Sequence, residues 1–148
     1  MTISTLSAAK TIGSLNNWGR TNLELQKILY IAHMVHLGRN DGVPLINTHF
    51  EAWDYGPVVP YLYHEIKFFG SEPVKDIFFS SHVVQDGTEA EAIEETCEMV
   101  SDLTSGRLVA ITHWEKGAWA EVYQSGVRNS IIPDDLILRE YRARTRAK

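Results

Sequence analysis

Residues 50–60 read Phe50-Glu51-Ala52-Trp53-Asp54-Tyr55-Gly56-Pro57-Val58-Val59-Pro60, and this stretch predicts a rigid corner in the middle of the chain. Gly56 allows φ values that other residues resist, and Pro57 fixes its own φ while keeping Gly56 out of the α region. Trp53 and Tyr55 are large enough to anchor the corner in a core. Because Pro60 can begin a helix without an amide donor, we expect one helical segment before the corner and another after it.

Two helices are predicted before the corner. Apolar residues recur at helical spacing over about residues 5–17. Thr21 and Glu24 then form a predicted capping box, in which each side chain bonds the backbone amide of the other residue. The helix that this box opens carries a buried apolar stripe and ends near Gly38.

Five further helices are predicted after the corner. The first runs from Pro60 to a cap at Gly70, and the second begins at a capping box at Thr88 and continues to about Ser105. Shorter helical segments follow near residues 108–113 and 120–124. Pro133 and the two aspartates after it predict the start of the last helix.

The remaining segments indicate a mainly α protein. Residues 77–84 are β-prone and predict one irregular strand, a small hairpin or, preferably, an extended loop that places Phe78 or Phe79 in the core. There is neither an internal repeat nor a low-complexity linker. We therefore expect one domain over residues 1–148, built as a compact bundle of six or seven short helices with at most one small β-hairpin.

Composition restricts the cellular setting. The chain has 148 residues, 44% of them hydrophobic, and no stretch approaches the about 20 apolar residues of a membrane-spanning helix. Residues 1–10 lack the basic start and apolar run of a signal peptide. Cys97 is the single cysteine, so no internal disulfide can form. These features predict a cytoplasmic protein without a membrane partner.

Charge is distributed unevenly along the chain. The net charge is −5, but residues 139–148 hold five basic residues and one acidic residue, whereas residues 1–138 hold nine basic and eighteen acidic residues. The acidic body argues against a surface that neutralises phosphates. The basic C-terminal tail, about residues 142–148, leaves nucleic-acid binding by an autoregulator as an alternative. A solvated helix end is the preferred interpretation of this tail.

An acidic face is predicted on the helix that begins at Thr88. No lysine or arginine lies between Lys75 and Arg107. A solvated face is the simpler interpretation, and a docking face for a basic protein is the alternative. The face consists of Glu91, Glu94, Glu95, Glu98 and Asp102.

Local motifs for catalysis are missing from the sequence. There is no phosphate-binding glycine loop, nucleophile elbow or His-Glu-x-x-His motif. Cys97 lies on a predicted inward stripe and is expected to be inert. His33 and His36 could share a helix face but lack a clear third ligand, and His113 is expected to brace a turn. We predict no enzyme and no cofactor, with a metal-dependent hydrolase as the least favoured alternative.

Three short motifs carry a family resemblance. The first is Leu25-Gln26-Lys27-Ile28-Leu29-Tyr30, the second is Glu51-Ala52-Trp53-Asp54-Tyr55-Gly56-Pro57-Val58, and the third is Thr112-His113 followed by Trp119. They resemble the motifs of the Panacea family of SocA-like antitoxins, once described as phage-associated GepA-like proteins. The resemblance spans about residues 6–141. The third motif departs from the family, because Ala118 replaces a proline and Lys116-Gly117 adds a residue.

The resemblance implies an α-helical antitoxin from a bacterium or phage. Its implied partner is a cognate toxin encoded by a neighbouring gene, and a cellular protease is a further implied partner, since one kind of SocA-like protein delivers its toxin to a protease. The motif residues are interpreted as architectural. Gln26 and Lys27 should face solvent or a groove, where Lys27 could pair with Asp54.

The sequence thus predicts a non-enzymatic module that neutralises a toxin by direct contact. Interface centres are enriched in aromatic residues, so surface tryptophans are candidates for partner binding. Core burial is the alternative for each tryptophan and is preferred for Trp53 and Trp119. The candidate partner-binding residues are Trp18, Lys27, Trp114 and the acidic residues Glu91, Glu94, Glu95 and Glu98.

Overall fold

The computed structural model describes residues 2–146, which form seven α-helices and three short strands. The helices are α1 (Thr5–Leu15), α2 (Asn22–Arg39), α3 (Pro60–Ile66), α4 (Gly87–Met99), α5 (Ser105–Thr112), α6 (Ala118–Val122) and α7 (Asp134–Arg146). The strands are β1 (Phe50–Trp53), β2 (Gly56–Val58) and β3 (Ile131–Ile132), and a short 3₁₀ turn at Lys67–Phe69 extends α3. The predicted mainly α class is confirmed.

Helix α2 is the centre of the fold. Fourteen of its eighteen residues are buried, and α1, α4, α5 and α7 all pack against it. Its predicted capping box is confirmed, since the Glu24 amide donates to Thr21 Oγ1 at 3.3 Å and the Thr21 amide donates to Glu24 Oε1 at 2.9 Å. A helix buried on all sides has no polar face, so even its polar side chains must find partners inside the protein.

The predicted corner is a tight β-hairpin. β1 and β2 pair antiparallel through a two-residue loop, with Trp53 opposite Gly56, and β3 joins the other edge of β1. Trp53 is buried, as predicted. The prediction that Tyr55 anchors the corner is wrong, because the loop tip points Tyr55 outward and leaves it 69% exposed.

The second predicted capping box does not form. Asp86 occupies the N-cap position of α4 without a side-chain cap bond, and α4 ends at Met99, well before Ser105. The Thr88 hydroxyl instead bonds His36 Nε2 at 2.8 Å. This long-range contact removes the hydroxyl from the local role that its sequence position suggests.

Residues 77–84 form the preferred extended loop and contain no strand. Phe78 is buried, whereas Phe79 is 83% exposed. Two bonds to α1 hold the loop, because Lys10 Nζ donates to the Phe78 carbonyl at 3.0 Å and the Val84 amide donates to Thr11 Oγ1 at 2.9 Å.

Helix α7 includes much of the predicted basic tail. Residues 142–146 continue this helix, and residues 147–148 lie outside the described residues. Arg144 is engaged internally, since it donates to Glu140 and to the Ile111 carbonyl. Among the described helices, none combines the length and the apolar character needed to cross a membrane.

Candidate functional site

Lys27 joins α2 to the hairpin. Its side chain is fully buried, and Nζ donates a hydrogen bond to the Pro57 carbonyl at 3.0 Å. The adjacent Gln26 Oε1 accepts from the Val59 amide at 3.0 Å, so consecutive residues of the first motif bind the second motif and its flank. Burial lowers the pKa of Lys27 to about 7. The partner of Lys27 is thus a carbonyl and not Asp54, whose carboxylate accepts from Tyr123 instead.

The three motifs meet at Gly56. This glycine has a φ of +113°, a backbone conformation that side chains with a Cβ rarely adopt. A Cβ placed there would lie 3.1 Å from Lys27 Cε, 3.2 Å from Thr112 Oγ1 and 3.3 Å from His113 Cδ2. Glycine is therefore needed both for the turn and for the close approach of the other two motifs.

His113 and Trp119 brace the other side of the hairpin. Their rings stack with centroids 3.9 Å apart and an angle of 8° between planes. Trp119 Nε1 donates to the Trp53 carbonyl at 2.8 Å. Burial, reinforced by the charge of Lys27, lowers the pKa of His113, and a hydrogen bond to the Tyr55 backbone acts in the opposite direction. The stacked imidazole of His113 packs against the turn at Gly56. The bracing role of His113 stays a prediction.

A buried carboxylate ties the motifs to the last helix. Glu140 is 2% exposed and accepts at Oε1 from the Tyr30 hydroxyl at 2.6 Å, while Arg144 Nε donates to Oε2 at 2.8 Å. Burial and the Glu140 charge raise the pKa of Tyr30 well above its usual value. Arg144 also lies 4.6 Å above the ring of Trp114, which gives that tryptophan an internal partner.

The altered third motif also donates a hydrogen bond to the Glu140 carboxylate. The Ala118 amide donates to Glu140 Oε1 at 3.0 Å. Proline, the residue expected there from the family resemblance, has no amide hydrogen and could not make this bond. Gly117 is equally constrained, because a Cβ there would lie 2.8 Å from Glu140 Oε1.

A cleft opens beside the hairpin on the side of α3. Its volume is about 370 Å³, and its wall includes three aromatic side chains, Trp53, Tyr55 and Tyr63. The Arg128 guanidinium lies 4.2 Å above the Trp53 ring. Lys67 supplies a second cation, and Lys27 borders the cleft from α2.

The model of the family described as antitoxin SocA-like, Panacea domain, matches residues 25–120, which contain all three motifs. The chain belongs to this family. This Panacea protein is also 35% identical over 112 residues to Antitoxin SocA of Caulobacter vibrioides (strain NA1000 / CB15N). The match covers 67% of this chain and 57% of that protein, so it spans little more than half of the relative's length. No solved structure matches the chain.

The predicted partner-binding residues of this Panacea protein are spread over several faces. Among them, only Lys27 borders the cleft. Trp18 is half-buried and stacks on Phe78 at 6.1 Å. On α4, the carboxylate of Glu95 pairs with Arg39, whereas the other three glutamates of the acidic face are exposed: Glu91, Glu94 and Glu98. Asp102, also exposed, lies beyond the end of α4.

Three cleft residues were missed by the sequence analysis: Tyr63, Lys67 and Arg128. Each is a single residue without a local motif, and the third lies far from the others along the chain. The sequence offers one signal for Lys67 and Arg128, because cations are scarce in the acidic body.

The histidines and the cysteine considered for chemistry have internal partners. His33 Nε2 bonds Asp134 Oδ1 at 2.8 Å, and His36 Nδ1 bonds the Val43 carbonyl at 2.7 Å. Burial raises the pKa of Cys97 to about 11, which disfavours a thiolate. Within residues 2–146, no three His, Cys, Asp or Glu side chains are grouped to hold a metal ion.

Proposed function

We propose that this protein is an antitoxin that neutralises a toxin by binding it directly, without catalysing a reaction. The observation that carries the proposal is how the family motifs are used. Lys27, Gln26 and Trp119 direct their polar groups to backbone atoms of the hairpin and of Val59 next to it, at 2.8–3.0 Å. Side chains bonded in this way stabilise the fold and are not available to a partner. The toxin would therefore be bound by the protein surface around the motifs. Membership of the SocA-like family and the name of the Caulobacter relative support the same function.

Co-expression with the product of the adjacent gene tests the proposal. We expect that product to arrest growth when expressed alone, and we expect this chain to restore growth and to co-purify with it. A harmless neighbour, or a toxic neighbour that neither binds nor is neutralised, would contradict the proposal.

The amount of toxin in the same cultures separates two modes of neutralisation. Direct inhibition leaves the toxin level unchanged while growth recovers. Delivery to a cellular protease lowers the toxin level, and deleting the protease restores it. We propose direct inhibition, so a toxin level that falls only when this chain is present would count against that mode.

A further inference from the structure

The cleft beside the hairpin concentrates positive charge on an acidic protein. Residues 1–138 contain nine basic and eighteen acidic residues. Lys27 borders this cleft with a buried amine whose pKa is about 7, and two exposed cations, Lys67 and Arg128, line it. Only one of the eighteen carboxylates does so, and this residue, Asp54, accepts a hydrogen bond from the Tyr123 hydroxyl at 2.6 Å. The net charge of the cleft is therefore positive, whereas that of the surrounding body is negative.

The two exposed cations of the cleft have no carboxylate partner within residues 2–146. Lys67 and Arg128 take part in no ion pair there. Of the six cations of residues 1–138 outside the cleft, three have such partners, namely Lys10 with Asp76, Arg20 with Glu24 and Arg39 with Glu95, and three have none among the described residues: Lys75, Arg107 and Lys116. The cleft thus holds cations that remain available to an anion from outside.

Arg128 is positioned by the aromatic wall. Its guanidinium lies 4.2 Å above the buried Trp53 ring, and Trp53 is itself packed against Tyr63 with centroids 4.8 Å apart. A guanidinium that stacks through its face keeps its N–H edge free for two parallel bonds to a carboxylate. Tyr55, 69% exposed beside it, offers apolar surface to the residues flanking such a carboxylate.

We propose that this cleft binds a glutamate or aspartate side chain on an acidic segment of the protein partner, held by Arg128 and Lys67. The inference rests on the proposed antitoxin function for its statement that the partner is a protein. The cleft volume of about 370 Å³ accommodates a side chain with its neighbours. Asp54 in the same wall opposes a doubly charged phosphate more strongly than a singly charged carboxylate. An aromatic and arginine surface is also typical of the centre of a protein interface.

A pair of matched double variants tests this inference. Lys67→Gln with Arg128→Gln removes the two exposed cations of the cleft. Lys75→Gln with Arg107→Gln removes one lysine and one arginine that are exposed outside the cleft, so the change in net charge is the same. Since all four side chains are exposed, equal thermal midpoints should show that both variants fold.

The first measurement is the Kd for the product of the adjacent gene at low and high salt. We expect the cleft variant to bind at least tenfold more weakly than the wild type, with a smaller salt dependence, and the control variant to stay within twofold. If the wild type binds and neutralises that product and the cleft variant does so equally well, the cleft inference is overturned while the antitoxin function stands.

The second measurement does not depend on the toxin. A blocked hexapeptide of glutamate is titrated into the full chain, and NMR signals of the Trp53 indole and the Arg128 guanidinium are followed. We expect shifts with this peptide, none with a glutamine hexapeptide and none in the cleft variant. Absence of shifts at millimolar peptide, or equal shifts with inorganic phosphate, would overturn the assignment. If the peptide binds as expected but this chain neither binds nor neutralises the adjacent gene product, the result would count against the antitoxin function alone.

Discussion

Lys27 and Pro57 are joined by a hydrogen bond in which a fully buried amine donates to a backbone carbonyl at 3.0 Å. The bond fastens the central helix to the hairpin that carries the second motif. Its cost is electrostatic, because a protonated amine is poorly solvated in a core. The burial of Lys27 therefore makes the stability of the protein depend on pH.

Stability should rise with pH above neutrality because of Lys27. Its pKa is about 7 in the folded protein against 10.5 for an ordinary lysine, so the unfolded chain binds more protons between these values. The free energy of unfolding should increase from about pH 7 to pH 10, by up to about 1.4 kcal/mol per pH unit. Below pH 7 both states are protonated, and the contribution of Lys27 no longer changes.

Urea unfolding of a Lys27→Met variant between pH 6.5 and 10 measures this effect. The variant should lose the rise, whereas Lys116→Met, at an exposed lysine, should retain it. An unchanged rise in Lys27→Met would mean that the amine is not the source of the pH dependence.

Gly56→Ala should destabilise the protein by more than the backbone strain of a non-glycine residue at this φ, because the added methyl group also meets neighbouring atoms. A non-glycine residue in such a conformation costs about 1–3 kcal/mol, and the new methyl group would lie 3.1 Å from Lys27 Cε. Gly126→Ala is the matched control, because Gly126 also has a positive φ, +79°, but no atom within 4 Å of the added Cβ. Thermal unfolding should place Gly56→Ala clearly below Gly126→Ala, and equal losses would show that the three motifs do not crowd this position.

Tyr30→Phe should destabilise the protein by about 1–3 kcal/mol, because it removes a donor from a buried carboxylate. The hydroxyl lies 2.6 Å from Glu140 Oε1. Tyr61→Phe is the control, since Tyr61 is 49% exposed, and its change should stay within about 0.5 kcal/mol. Similar unfolding free energies for the two variants would argue against the buried pair.

Ala118→Pro should also destabilise this chain, although it restores the residue expected from the family resemblance. Proline removes the amide that donates to Glu140 at 3.0 Å, at a cost of about 1–3 kcal/mol. Ala118→Gly keeps the amide and should cost less. A stabilised proline variant would show that Glu140 does not need this donor.

Features set by neighbouring residues could be predicted from the sequence. The Thr21–Glu24 capping box needs only two side chains three positions apart, and both of its bonds form. The corner at Gly56 was predictable for the same reason, because glycine and proline restrict the backbone at their own positions. The loop over residues 77–84 was expected to place Phe78 or Phe79 in the core, and Phe78 is the one that is buried.

Features set by distant residues were not accessible in this way. The Thr88 hydroxyl forgoes a cap because His36 lies within reach in the folded protein. The sequence predicts Lys27 in solvent or a groove, yet α2 is enclosed on all sides and buries it. The cleft needs Lys67 and Arg128 together, and nothing in the sequence between them indicates that they meet.

The bond between Tyr30 and Glu140 joins residues that are 110 positions apart in the chain. The ribosome synthesises α2 long before α7. The Tyr30 hydroxyl therefore has no acceptor until Glu140 has been added to the chain. Contacts between residues so far apart in sequence slow folding. Until they form, apolar surface of the nascent chain stays exposed to chaperones and proteases. Premature termination anywhere before position 140 should therefore yield a nascent chain that cannot close around its central helix.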